Sequence, residues 1–128
     1  MSVLDASALI ALLSAEDEHH DAAVAIVERE FESGFMTSAL TLAESLVAAV
    51  RAGREQDALD IFRPLELHVL PLEEVDAVRI AQTRVTSGLK LPDAVILATA
   101  VALGSPIVTF DRTLAGAAAR AGIAVISG

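Results

Sequence analysis

The chain has no cysteine, no tryptophan and no tyrosine, and its aromatic content is four phenylalanines in 128 residues. The missing thiols exclude disulfide staples and thiolate zinc sites. They also fit a reducing compartment, so the expected location is cytoplasmic. Basic residues are scarce. Lys and Arg total 9 against 18 Asp and Glu, a formal charge of −9. A basic nucleic-acid footprint is therefore absent, and any contact with nucleic acid must be local or assisted by a cation. The histidines are only three. They are His19, His20 and His68, too scattered for a metal-free acid–base pair. No glycine-rich phosphate loop occurs, which leaves an NTP or dinucleotide site without support. No apolar run approaches the ~20 residues of a membrane span. The opening "MSVLDASALIALLSAE" has no Lys or Arg before its apolar part and carries Asp5, so it reads as mature structure and not a signal segment.

What is abundant is small and apolar. Hydrophobic residues make up 54%, and mean hydropathy is +0.58. The length suits one domain, 1–128, with a core that needs no staples. So apolar a chain is expected to expose a partner surface, with a homodimer anticipated.

Strands and helices alternate. "SVLD" (2–5) reads as strand 1, and "SALIALLS" (7–14) as a helix with Ser7 as N-cap. A helix over 17–32 has Ala22, Val24, Ala25 and Val27 on its apolar side and stops at Gly34. "FMTS" (35–38) is strand 2. Helices follow over 40–53 and 54–62, then strand 3, "LHVLP" (67–71). An amphipathic helix over 73–88 carries Val75, Val78, Ala81 and Val85 on one stripe and closes at Gly88. "LPDAVILATAVAL" (91–103) is a helix with Pro92 at its first position. "PIVTFD" (106–111) is strand 4, 112–121 a short helix, and "IAVIS" (123–127) strand 5. The pattern is that of an α/β fold with a mainly parallel sheet covered on both faces.

Ligands of open parallel sheets bind beyond the carboxyl ends of the strands. Asp5 ends strand 1 and Asp111 ends strand 4. Glu44 lies in the first turns after strand 2. Only Gly104 and Ser105 separate helix 91–103 from strand 4, so that helix runs back over the sheet for about 20 Å. Its start, with Asp93, returns to the same edge. Four carboxylates are thus expected together: Asp5, Glu44, Asp93 and Asp111. Two unit charges ~4 Å apart interact by about 4 kcal/mol at an effective dielectric near 20. Protons or a divalent cation must neutralise the group, and hard oxygen donors suit magnesium or manganese.

Each acid also has an ordinary explanation. Asp5 can begin a turn while Ser7 caps a helix. Thr41 and Glu44 fit a capping box. Asp93 at the second helical position benefits from the helix dipole, and Asp111 can cap the next helix. Caps account for acids at helix starts singly. They do not account for acids ending both "SVLD" and "PIVTFD", and that joint occurrence favours a site. His19 and His20 beside Asp21 read as a solvated face, His68 as a packed or edge residue, and the Glu28–Glu32 cluster as a solvated helix end.

"VLDASALIALL", "ALTLAESL", "LKLPDAVILATA" and "IVTFD" resemble, in order and spacing, the motifs of PIN-domain ribonucleases, above all the small VapC-type toxins of toxin–antitoxin pairs. The resemblance covers essentially the whole chain. It implies a five-stranded sheet in the order 3-2-1-4-5, which makes strands 1 and 4 neighbours. It implies that Asp5, Glu44, Asp93 and Asp111 bind Mg2+ or Mn2+ and cleave RNA, leaving a 5′-phosphate and a 3′-hydroxyl. Ser7 and Thr109 match supporting hydroxyl positions. A cognate VapB-type antitoxin is the implied partner, lying in a groove between helices of the N-terminal half. Many relatives carry a further acidic or amide residue where this chain has Thr113.

The expected activity is metal-dependent hydrolysis of RNA phosphodiesters. Either Glu44 or Asp111 would take the proton of the attacking water. Lys90, Arg112, Arg51 and Arg54 are the candidate phosphate contacts. PIN nucleases that process RNA outside a toxin–antitoxin pair, and a PIN scaffold that only binds, are alternatives. Two other classes fit poorly. A metal-dependent adhesion module would want Asp-x-Ser-x-Ser, but Leu9 occupies its second serine position. A phosphatase with an aspartyl nucleophile would want Asp-x-Asp, where the chain has Ser7.

Overall fold

The computed structural model describes residues 1–127. Strands β1 (Ser2–Leu4), β2 (Phe35–Ser38), β3 (His68–Leu70), β4 (Ile107–Val108) and β5 (Val125–Ile126) form one sheet in the order 3-2-1-4-5. Every neighbouring pair is parallel. Among the described residues there are seven α-helices: α1 (Ala6–Leu13), α2 (His20–Glu30), α3 (Ala39–Arg51), α4 (Glu55–Phe62), α5 (Ala77–Ser87), α6 (Leu91–Leu103) and α7 (Arg112–Arg120). The fold class and strand order are those expected.

Side chains alternate across the sheet, so each short strand feeds two cores. Val3, Met36 and Ile107 pack on one face with Ile96 and Leu97 of α6 and Leu114 of α7. Leu4, Phe35 and Val108 pack on the other with Leu9 of α1 and Ile26 of α2. Helix α6 buries Ala94, Val95, Ile96, Leu97, Ala98 and Ala100, as a helix apolar all round must. Gly104 closes it in the left-handed region at φ 63, where a glycine costs nothing sterically. The amide of Ser105 then donates to the carbonyl of Ala100 at 3.1 Å, and the chain enters β4 at once. No single helix among the described residues is long and apolar enough to cross a membrane.

Several local expectations change. The stripe of α5 and its approach faces solvent: Val75, Val78 and Val85 are 80%, 67% and 83% exposed, and Ala81 is exposed too. Helix α5 turns half-buried Ile80, Thr83 and Ser87 inward and rests on α6. The sheet face is already filled by α6 and α7, so α5 lies in an outer layer. Val75 belongs to a 3-10 turn (Glu74–Asp76) that breaks the assumed period. Helix α2 buries Ala23 and Ile26, while Ala25 of the expected stripe is exposed. It starts at His20 because residues 14–17 form a turn, with the Asp17 amide donating to the Ser14 carbonyl. Strands β3, β4 and β5 pair over two or three residues only.

Candidate active site

The topology brings the carboxyl ends of β1 and β4 side by side, with β2 beyond β1. Asp5 follows β1 directly and is 2% exposed. Its Oδ1 accepts from Ser7 Oγ at 2.7 Å and from the Ala8 amide at 2.9 Å. Its Oδ2 accepts from Thr109 Oγ1. Asp5, and not Ser7, is therefore the N-cap of α1. The strand runs straight into the helix, so the residue between them must satisfy the free amides. Ser7 takes a different task. Its Oγ donates to Asp5 and accepts from the Phe110 amide at 2.9 Å. Thr109 acts in parallel, donating to Asp5 and accepting from the Asp111 amide at 3.0 Å. Two hydroxyls thus lock the end of β1 to the segment after β4.

Asp111 lies three residues beyond Val108, the last residue of β4, and not at the strand's end. It is the N-cap of α7, with Oδ1 accepting from the amides of Thr113 at 2.8 Å and Leu114 at 3.2 Å. Both strand-following acids are therefore caps, and capping does account for them. Capping leaves Oδ2 of Asp111 uncommitted.

Glu44 is half-buried in the second turn of α3. The expected capping box at Thr41 and Glu44 does not form. Ser38 caps α3, its Oγ accepting from the Thr41 amide at 3.0 Å, and this frees the Glu44 side chain. Sequence reasoning passed over Ser38 because Thr41 offered an equally good hydroxyl. Leu91 takes the first position of α6, so Pro92 and Asp93 fall at the second and third. Asp93 is half-buried there.

The four acids feel one another. Burial pushes the Asp5 carboxyl above its ordinary range, opposed by its hydrogen bonds to Thr109, Ser7 and Ala8 and reinforced by Asp111. Burial also raises Glu44, with Asp93 and Asp5 adding to the effect. Asp93 is raised by burial and by Asp111 and Asp5, against a lowering by Lys90. None of the ion pairs among the described residues includes any of the four. As positioned, no three histidine, aspartate or glutamate side chains among the described residues converge tightly enough to hold an ion jointly.

Lys90 and Arg112 flank the first residues of α6 and α7, next to Asp93 and Asp111, and both are exposed. Of the other two basic candidates, Arg51 stands apart from the acids, while Arg54 lines the groove that Glu44 also lines. Arg51 ends α3, about 10 Å along its axis from Glu44. Arg54 is held by Asp57 at 3.0 Å. Thr113 is exposed and contributes only its amide, to Asp111. His19 and His20 are not a solvated face. His19 stacks on Phe110 with ring centroids 4.6 Å apart and planes within 4°. His20 Nδ1 is hydrogen-bonded to the Ala11 carbonyl at 2.7 Å. His68 is exposed on the edge strand β3.

No curated protein matches the sequence. Several solved structures share the fold. A toxin–antitoxin complex from Klebsiella pneumoniae matches at 27% identity and TM-score 0.68, covering 91% of this chain and 92% of that one. VapBC2 of Rickettsia felis, bound to a promoter DNA fragment, matches at 17% identity and TM-score 0.74, over 98% and 96%. VapC20 of Mycobacterium tuberculosis, described as a toxin that cleaves the sarcin–ricin loop, matches at 20% identity and TM-score 0.72, over 91% and 95%. The family model described as "PIN domain" matches residues 2–120, nearly the whole chain. With that match and its parallel sheet in the order 3-2-1-4-5, the chain belongs to the PIN-domain family.

Proposed function

We propose that this chain is a divalent-metal-dependent endoribonuclease and the toxin of a toxin–antitoxin pair. One observation carries the reading. Asp5, Glu44, Asp93 and Asp111 act on one another at one sheet edge, and none of them is held in an ion pair among the described residues, Lys90 only partly offsetting the repulsion at Asp93. Such a cluster is stable when ionised only if something cationic joins it.

The donor set fits a hard cation. A carboxylate offers about four lone-pair sites. The Asp5 hydrogen bonds to Ser7, Ala8 and Thr109 leave room for one further partner. Oδ2 of Asp111 takes no part in capping α7. Glu44 and Asp93 are half-buried and unpaired, and rotamer changes bring such side chains inward within nanoseconds. Oxygen donors without nitrogen or sulfur suit Mg2+ or Mn2+. When bound, such an ion supplies Lewis-acid polarisation of a phosphoryl oxygen and a water acidic enough for in-line attack near neutral pH.

The chain's own residues do the rest. Asp5 is the fixed ligand, oriented by Ser7 and Thr109. Asp111 and Asp93 come from the starts of two helices and complete the donor set. Glu44, with its raised pKa and its partial exposure, is the base for the water's proton. Lys90 and Arg112 hold the flanking phosphates. The substrate assignment to RNA and the location in the cytoplasm belong to the same proposal.

The antitoxin is the proposed occupant of a groove of about 480 Å³ between α1, α3 and α4, walled by Ile10, Leu13, Ala48 and Ile61. Glu44 lines this groove as well, so a segment lying in it reaches the acids directly. The Klebsiella neighbour, described as a toxin–antitoxin complex, supports that partner class. The exposed valines of α5 and its approach are consistent with a homodimer in addition.

The test is cleavage of RNA with Mg2+ or Mn2+, with and without chelator, by the wild type, Asp5→Asn and Asp93→Asn. Metal-dependent cleavage lost in both variants supports the mechanism. Cleavage that survives chelation, or that neither substitution reduces, overturns it.

A further inference from the structure

A second feature adjoins the acids. A cleft of about 320 Å³ opens beside Asp111, bounded by His19, Phe110, Arg112, Ala115 and Ser127. We propose that this cleft is a nucleobase subsite, where one unpaired base of the RNA seats against the His19–Phe110 pair while Arg112 meets its phosphate. The inference rests on the nuclease reading above and names which part of the RNA meets this end of the site.

The aromatic pair is the first argument. The chain has four phenylalanines and no tryptophan or tyrosine. One of the four stands immediately before Asp111, its ring parallel to the His19 ring at 4.6 Å. The two rings come from different elements, His19 from the cap of α2 and Phe110 from the link between β4 and α7. Both are only partly buried. Phe110 packs against the core cluster of Leu9 and Ile26, so the His19 side chain, 43% exposed, is the part of the pair that reaches solvent. Exposed aromatic rings of this kind are what proteins use to stack unpaired bases, with tolerance of base identity.

The fixed distance to the chemistry is the second. The Phe110 amide donates to Ser7 Oγ, and Ser7 Oγ donates to Asp5. Asp111, the next residue, donates its amide to Thr109 Oγ1, which also binds Asp5. The Phe110 side of the cleft is therefore tied by hydrogen bonds to Asp5 and Asp111. A base held at Phe110 sets the phosphodiester beside it in register with Asp111.

Size and charge are the third. At about 320 Å³ the cleft lies at the small end of ligand pockets, suited to one nucleotide and not to a duplex. Ala22 and Ala115 are among its lining residues, and their small side chains take up little of the space. Arg112 is the cation at this rim, with Asp111 also in the lining and the Glu18 carboxylate 3.3 Å from His19 Nε2, so attraction here comes from the ring and this one guanidinium and not from the net charge of −9. A paired base cannot enter, so the inference specifies a single-stranded or looped substrate at this position.

Two measurements test it. First, the metal-free protein is titrated with each nucleoside 5′-monophosphate and with ribose 5-phosphate while the ring protons of His19 and Phe110 are followed by NMR. The nucleotides are expected to shift them and the sugar phosphate is not. His19→Ala should abolish the response at Phe110, and His19→Phe should retain it. An equal response to sugar phosphate and nucleotides, or none to either, overturns the subsite. Second, an abasic site is walked along a cleavable oligoribonucleotide. At one position beside the cut, KM should rise roughly 5- to 150-fold, the range that loss of one stacked base produces. His19→Ala should raise KM on the intact substrate by a similar factor and add nothing at that position. Cleavage that is indifferent to every abasic position sinks the subsite and leaves the nuclease standing. Nucleotide-specific ring shifts in a protein that cleaves no RNA sink the nuclease and leave a nucleotide site.

Discussion

Asp111 serves two masters on this reading, and two substitutions at the one position separate them. Its Oδ1 satisfies the first free amides of α7, at 2.8 Å and 3.2 Å. Its charge belongs to the acid cluster through Asp5 and Asp93. Asparagine is as good an N-cap as aspartate, whereas alanine forfeits about 0.5–2 kcal/mol. Taking ~1 kcal/mol, and a urea dependence of about 2 kcal/mol per molar, Asp111→Ala lowers the unfolding midpoint by roughly 0.5 M. Asp111→Asn leaves the midpoint in place, or raises it slightly by removing a repelling charge. Activity should split differently. Both variants lose an anionic ligand, and both should fall at least about 10- to 100-fold in metal-dependent cleavage, the scale at which even outer partners of a metal site act. Urea titration followed by circular dichroism measures the first quantity, and RNA cleavage at saturating Mg2+ the second. Full activity in Asp111→Asn would refute the reasoning, since the acid would then be a cap and nothing more.

Other consequences are as direct. The carboxyls of Asp5, Glu44 and Asp93 are raised in the folded protein, so the native state holds protons that the unfolded chain has released. The stability they govern is present below the ordinary carboxylate range, near pH 4, and is lost as pH rises through the raised values. The urea midpoint of the metal-free protein should therefore fall from about pH 4 toward neutrality, less steeply in Asp5→Asn, and a rising midpoint would contradict the cluster. Thr109→Val removes a donor to Asp5 and an acceptor for the Asp111 amide at similar volume. It should cost about 1–3 kcal/mol by equilibrium denaturation and reduce cleavage with it. Ile96, 1% exposed against the sheet, should lose roughly 2–5 kcal/mol on change to alanine. Val85→Lys on the outward face of α5 should lose less than about 0.5 kcal/mol in the same assay.

The position of Asp93 was legible before any coordinates. Three residues between α6 and β4 leave the helix no direction but back across the sheet, and its unbroken apolar run says that it is buried. The alternation of apolar strands with helices likewise specified a parallel sheet. Legibility failed where several residues could do the same local task. Asp5 or Ser7 could cap α1, and Ser38 or Thr41 could cap α3, and the chain's path between strand and helix decides which does. It failed again at Val75, Val78 and Val85. Periodicity reveals an apolar face but not whether a layer remains for it to cover, and α6 had already taken that place. The stack of His19 on Phe110 joins segments far apart in the chain, and no local pattern announces it. For the acids themselves, the resemblance already pointed to Ser7 and Thr109 as supporting hydroxyls, and the fold adds which oxygen of Asp5 each one binds.

Those hydroxyls have a consequence for synthesis. The bond from Thr109 to Asp5 spans 104 positions, and that from Phe110 to Ser7 spans 103. Strand β1 is made first, yet it gains its neighbour β4 only after α6 is complete. At ~5–20 residues per second, several seconds separate the emergence of Asp5 from that of Asp111. Throughout that interval the nascent chain carries its acids on disconnected segments. On the proposed nuclease reading, the site is therefore not assembled, and the ribosome and message producing it are not exposed to it, until most of the chain has been made.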